Sequence, residues 1–161
     1  MGNLFPVEAG ISQVRGIVRL IKENDGSMSI SKLDEESEED IDDLLPLIDA
    51  CEILGFATVE NSRIEITDRG KKLVTSGPLR TIRTSLVEIE PFKSVIKALG
   101  EGSMSTEELA VLLKSKRIVL HEDHSSNMAA LRKVLRNWGV RTKLISYDEE
   151  EDRWSIKRKS S

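Results

Sequence analysis

The chain has 161 residues, 32% of them charged and 39% hydrophobic, enough for one ordinary domain or two very small ones. No apolar run approaches the length needed to cross a bilayer, which excludes membrane insertion, and Met1 to Gly10 lacks the basic and apolar regions of a secretory signal. The net charge of −4 hides an asymmetry: residues 1–77 hold 8 Lys/Arg against 16 Asp/Glu, and residues 78–161 hold 16 against 12, so the two halves suit different partners.

Ile11, Val14, Ile17, Val18 and Ile21 recur at spacings of three and four, which predicts an amphipathic helix over 8–23. Asn24-Asp25-Gly26 ends it with residues that tolerate positive φ. Ser29 is placed to cap a short second helix carrying Ile30 and Leu33. The acidic run from Glu35 to Asp43 leads into a third helix, whose positive dipole end those carboxylates suit. Its start is expected near Asp42, which puts Pro46 close to the first turn, where a missing N–H costs little. Leu44, Leu47, Ile48, Cys51 and Leu54 form its buried stripe, and Gly55 is placed to end it. Cys51, the only cysteine, reads as a small buried hydrophobe. It excludes an internal disulfide and makes the cytoplasm the default compartment.

After Gly55 the period changes. Phe56 to Glu60 and Arg63 to Ile66 are two short strands around an Asn61-Ser62 hairpin turn. Thr67 then caps a helix carrying Leu73 and Val74. Three helices followed by a hairpin is the order of a winged helix. Ser76-Gly77-Pro78 breaks the chain, and Leu79, Ile82, Leu86 and Ile89 make one stripe of a helix over 79–90. Pro91 ends that helix and opens the next, whose apolar face is Phe92, Val95, Ile96 and Leu99.

The pattern then repeats. Gly26-Ser27-Met28-Ser29 recurs as Gly102-Ser103-Met104-Ser105, and Ser105-Thr106-Glu107-Glu108 is a capping box. Leu44, Leu47, Cys51, Leu54 and Gly55 align with Met128, Leu131, Leu135, Trp138 and Gly139, at a register eight residues different. A second strand pair is expected over Val140 to Tyr147 and Trp154 to Lys157, around an acidic turn at Asp148 to Asp152. The fold class is therefore α+β and mainly helical, with two tandem winged-helix-like units joined by a linker helix. The expected boundaries are 1–77 for an acidic first unit, 78–90 for the linker helix, and 91–161 for a basic second unit.

Enzyme chemistry finds no footing. There is no phosphate-binding G-x-x-x-x-G-K-S/T loop, no G-x-S-x-G elbow, and one Cys cannot build a thiolate zinc site. His121 and His124 flank Glu122 and Asp123 at a spacing that fits no standard metal pair. They read as solvated loop residues. The acidic runs lack the glycine and terminal Glu of a calcium loop. No cofactor and no metal is expected.

Nucleic acid and protein remain as partners. The third helix of a winged helix enters the major groove, and in the first unit Glu38, Glu39, Asp40, Asp42 and Asp43 precede or open that helix. Phosphates would repel them, so this surface is expected to dock protein. In the second unit Arg132, Lys133 and Arg136 lie on the third helix, with Arg141 and Lys143 on the following strand and Lys157, Arg158 and Lys159 beyond. That stripe would suit DNA phosphates or a protein partner, and the helix at 79–90 could also pair with its copy in a homodimer.

Asp43-Leu44-Leu45-Pro46-Leu47-Ile48, Leu54-Gly55-Phe56-Ala57 and Ile66-Thr67-Asp68-Arg69-Gly70 together resemble the AAA-associated C-terminal domain. Trp138-Gly139 and Ser146-Tyr147-Asp148 are similar to that family's closing pattern, although Val140-Arg141 stands where the family commonly has Arg-Tyr. The resemblance covers roughly residues 7–156. It implies a non-catalytic regulatory module that acts with the ATP-binding subunit of a nitrate/sulfonate/taurine-type ABC transporter, found largely in archaea and bacteria. It also implies a cytoplasmic location beside the transporter. The resemblance is to the accessory part alone and carries over no catalytic residue. The alternative is a transcription regulator that binds DNA through the second unit.

Overall fold

A computed structural model describes residues 5–75 and 77–156, with the side chain of Ile41 left aside. Ser76, and Lys157, Arg158 and Lys159 of the expected basic surface, lie outside the described residues. Among the described residues, eight α-helices and five strands fold into two compact units, Met1–Ser85 and Leu86–Ser161.

The first unit opens with α1 (Ile11–Glu23), whose Ile11, Val14, Ile17, Val18 and Ile21 are all buried. Each such side chain withdrawn from water contributes roughly 1.5–3 kcal/mol, and the expected stripe is the observed one. Asp25 and Gly26 turn the chain with positive φ into β1 (Ser27–Ser29), a strand that the sequence reading did not contain. The Ser29 side chain then accepts a hydrogen bond from Lys32 N–H and caps α2 (Ile30–Glu36).

Helix α3 (Ile41–Ile53) begins one residue before the expected Asp42, because the Asp40 carbonyl already accepts from Asp43 and Leu44 N–H. Pro46 is consequently the sixth residue and not part of the first turn. The carbonyl it leaves without a helical donor belongs to the exposed Asp42. Leu44, Leu47, Ile48, Cys51 and Leu54 face the core with at most 4% exposure.

Strands β2 (Ala57–Glu60) and β3 (Arg63–Ile66) form the expected hairpin, with Asn61 and Ser62 both at positive φ. β1 pairs antiparallel on the other side of β3, giving a three-stranded sheet ordered β1-β3-β2 with Met28 opposite Ile64.

The motif Ile66 to Gly70 has a local mechanical reason. Thr67 Oγ1 accepts from Gly70 N–H at 3.0 Å, which caps α4 (Asp68–Thr75), and donates to the Gly55 carbonyl at 2.6 Å. A Cβ on Gly70 would overlap the Phe56 carbonyl oxygen and press on Ile66 Cγ1, so only glycine lets α4 lie this close to the chain leaving α3. Helix α5 (Pro78–Leu86) ends four residues before the expected end at 90, and Ser85 Oγ donates to the Leu54 carbonyl at 2.8 Å.

The second unit contains α6 (Phe92–Leu99), α7 (Thr106–Ser115), α8 (His124–Val134), a π-helical continuation over Leu135–Val140, and the hairpin β4 (Ile145–Asp148) and β5 (Arg153–Ile156). Pro91 sits at the N-cap of α6, where the Glu90 carboxylate accepts from Ser94 N–H and Ser94 Oγ. Phe92, Val95, Leu99, Leu109, Leu113, Leu131, Val134, Leu135, Trp138 and Trp154 fill the core.

The internal repeat is physical. Met104 pairs with Trp154 through two backbone hydrogen bonds of 2.8 and 3.0 Å, as Met28 pairs with Ile64 in the first unit. Arg63 donates to Ser27 Oγ. At the corresponding place Arg153 donates to the carbonyl and Oγ of Ser103. Ser29 and Ser105 each cap the helix that follows.

Candidate functional site

Two surfaces carry the charged residues singled out from the sequence. The first lies on the acidic unit. Glu38, Asp40, Asp42 and Asp43 are exposed, and Glu39 is half-buried, its Oε1 accepting from Gln13 Nε2 at 3.2 Å. Glu38 and Glu39, with Glu36 and Ser37, wall a groove of about 360 Å³ whose floor is Gly16, Ile17 and Leu20 of α1. Gly16 has open space where a Cβ would stand. Apolar floor and acidic wall together suit a segment that is apolar on one side and basic on the other. Asp42 and Asp43 lie farther along, on the first turn of α3, whose exposed residues also include Leu45, Asp49 and Glu52. Leu45 is 52% exposed, a large apolar side chain among carboxylates.

The second surface lies on the basic unit. Arg132, Lys133 and Arg136, with Ala129 and Asn137, line a shallow groove of about 350 Å³ on α8 and its π-helical continuation. Arg141 and Lys143 are not on a strand as expected. The strand begins only at Ile145, and both residues sit exposed in the turn before it. The reason is the π turn: Thr142 Oγ1 donates to the Trp138 carbonyl at 2.6 Å, and Arg141 N–H and Leu144 N–H bond back to Arg136 and Gly139 carbonyls. These bonds carry the helical path past Val140.

The electrostatics of this second surface are mixed. Arg136 lies 3.5 Å from Glu149 and 5.7 Å from the Tyr147 ring centre, so the hairpin turn holds it by ion pairing and by its aromatic face. Asp152, at positive φ in the same turn, accepts from Thr106 N–H, Thr106 Oγ1 and Tyr147 OH. Burial pushes its carboxyl up, but those hydrogen bonds and the charge of Arg132 more than offset this and hold it below its ordinary value. Thr106 Oγ1 in turn accepts from the buried Trp154 Nε1 at 2.9 Å, and Tyr147 stacks on Trp154 with ring centres 3.9 Å apart. The acidic turn is visible in the sequence but this network is not, since no local pattern links Thr106 to Asp152.

His121 and His124 are exposed, as read from the sequence. His121 Nδ1 accepts from Asp123 N–H, and His124 lies 3.8 Å from Glu107. Asp123 caps α8 by accepting from Ser126 N–H, and that bond holds its carboxyl below the usual range. Cys51 is fully buried, and burial, with the Glu52 charge beside it, pushes its thiol up to about 12. A thiol so far from ionisation is a poor nucleophile. Among the described residues, no three His, Cys, Asp or Glu side chains gather as a metal site, and no helix is long and apolar enough to cross a membrane.

These observations describe an α+β protein with one acidic and one basic surface. The C-terminal AAA-associated domain matches residues 31–148, most of the chain, and the protein belongs to that family. The matched span contains the Asp43–Ile48, Leu54–Ala57, Ile66–Gly70, Trp138-Gly139 and Ser146–Asp148 motifs. No curated protein and no solved structure matches the chain.

Proposed function

We propose that the protein is a non-catalytic regulatory module that docks on the ATP-binding subunit of an ABC transporter, in the cytoplasm beside the membrane complex. Family membership supports an ATPase as the partner. The observation that carries the docking reading is the groove between α1 and Glu36–Glu39, where carboxylates border an apolar floor. A basic amphipathic segment of the partner fits it, and binding would bias the partner between its conformations by its preference for one of them.

Two tandem winged-helix-like units, 1–77 and 91–161 with the segment 78–90 between them, are part of this reading. The order helix, strand, helix, helix, strand, strand in the first unit supports it, as does the matching Met104–Trp154 pairing in the second. Asp40, Asp42 and Asp43 would extend the docking surface along α3.

The test is calorimetry of the protein with a nitrate/sulfonate/taurine-type ATP-binding subunit, alongside its ATPase rate. Binding that changes the rate and is weakened at least tenfold by Glu36→Lys with Glu38→Lys supports the proposal. Absence of binding, or binding indifferent to the charge reversal, rejects the groove.

The second reading is DNA binding through Arg132, Lys133, Arg136, Arg141 and Lys143, favoured by the exposed cationic groove on α8. Acidic residues 148–152 of the adjoining hairpin turn would meet phosphates unfavourably, and Arg136 is already engaged by Glu149. Titration of a labelled random duplex decides it. About four phosphate contacts require a log–log salt slope near −3.6. A homodimer belongs to either reading, and sedimentation at rising concentration tests it.

A further inference from the structure

The first unit carries a local reversal of charge. Residues 1–67 hold five Lys/Arg against fifteen Asp/Glu, whereas residues 68–85 hold five against the single Asp68. The structure gathers part of this excess into one concavity. Arg69 and Lys72 of α4 face Arg80, Thr81 and Thr84 of α5 across a cleft of about 580 Å³, with Gly77 at its end. Among the described residues, no carboxylate lines it. Arg69 is half-buried and held in place, its Nη1 lying 3.4 Å from both the Leu54 carbonyl and Ser85 Oγ. Lys72 and Arg80 are exposed, and among the described residues neither forms an ion pair. The N-terminal end of α5, which adds a partial positive charge, opens into the same space.

We propose that this cleft binds a compact, multiply charged oxyanion, of the class of a phosphate-bearing small molecule. Three cations from two helices provide charge-assisted hydrogen bonds, and a guanidinium suits two phosphate oxygens at once. Thr81 adds a hydroxyl donor. The volume falls in the range of small-molecule sites. Size is also restricted by the surroundings. The rest of the unit is strongly acidic, so an extended polyanion would be repelled beyond the cleft, whereas a small ligand contained within it would meet cations and hydroxyls. The site shares no residue with the acidic groove or with the basic groove on α8, so its occupation would give the module a ligand-dependent state.

The experiment is isothermal titration of the full chain with sodium pyrophosphate at low salt. Alongside it run Lys72→Gln with Arg80→Gln, and Arg132→Gln with Arg136→Gln as a control of equal charge change. The expected result is saturable binding that weakens at least tenfold in the first variant and holds in the control. Arg69 is left intact because of its bonds to Leu54 and Ser85. Absence of saturable binding overturns the proposal. So does equal weakening in both variants, which would mean attraction to net charge alone. Sedimentation with anionic vesicles separates a lipid headgroup from a soluble phosphate: vesicle binding that pyrophosphate fails to compete away overturns the small-ligand site. Random duplex DNA displacing pyrophosphate at equivalent phosphate concentration would overturn it as well.

Discussion

The two units share an internal frame and differ in what they show to solvent. Gly26-Ser27-Met28-Ser29 and Gly102-Ser103-Met104-Ser105 do the same work. The first serine meets an arginine that opens the last strand, the methionine pairs with the residue after that arginine, and the second serine caps a helix. Outside that frame the units diverge. The third helix of the first unit exposes Asp42, Leu45, Asp49 and Glu52, while its counterpart α8 exposes Lys133 and continues to Arg136. The core positions are tied to packing and backbone pairing. The exposed positions are free of those ties, so units that share this frame need not share a partner.

Even aligned glycines differ in their reason. Gly55 adopts φ +79° where α3 ends. Gly139 sits inside the π turn, and a Cβ there would come within 2.9 Å of two Ile145 side-chain atoms.

The largest effect is expected at Gly70, where alanine collides with the Phe56 backbone. Gly70→Ala should cost about 3 kcal/mol, and Gly139→Ala, opposed only by a side chain that can shift, about 1–2 kcal/mol. Urea unfolding followed by circular dichroism measures both, and a reversed order would refute the distinction between backbone and side-chain crowding.

Asp152→Ala, which removes the acceptor shared by Thr106 and Tyr147, should cost about 2 kcal/mol. The pH dependence has a fixed sign. The folded pKa lies below the ordinary value, so the stabilisation is complete above the unfolded pKa and disappears as pH falls through the folded one. Asp152→Asn should flatten that acid limb; an unchanged limb would assign the acid sensitivity to other carboxylates.

Ser105→Ala and Ser29→Ala remove equivalent caps, each worth about 1 kcal/mol. The Ser105 change should be the larger. Glu108 there returns a bond to Ser105 N–H and pairs with Arg153 at 2.8 Å, so a capping box is lost together with its support. Amide exchange in the first turns of α7 and α2 reads the two separately. Smallest of all, Leu45→Asp should change stability by less than about 0.5 kcal/mol. If α3 forms part of the docking surface, the same change weakens partner binding in calorimetry.

Much of the frame was legible because its signals are local. The spacing of Ile11, Val14, Ile17, Val18 and Ile21 needs only a helix period, and Asn61-Ser62 needs only a turn. Strand β1 escaped because three residues cannot display alternation; its existence depends on pairing with β3, thirty-six residues away from Ser27 through Arg63. Arg141 and Lys143 were misplaced because Val140 to Leu144 alternates like a strand, while Thr142 bonds back to Trp138 and extends the helical path. The acidic and basic residues themselves were legible. The groove beside Glu38 and Glu39, the restraint on Arg136 and the cationic cleft between α4 and α5 required distant segments to be brought together.

The distribution of aromatic and sulfur chemistry gives each unit its own optical reporter. Both tryptophans and the single tyrosine lie in the second unit, with Tyr147 stacked on Trp154, so fluorescence excited above the phenylalanine band reports that unit alone. The first unit contains the only thiol, sealed in its core, so labelling with a chromogenic disulfide proceeds only when that unit opens. One unmodified sample therefore yields two independent unfolding curves, and a ligand that stabilises one half can be assigned to it without isotopes, tags or truncation.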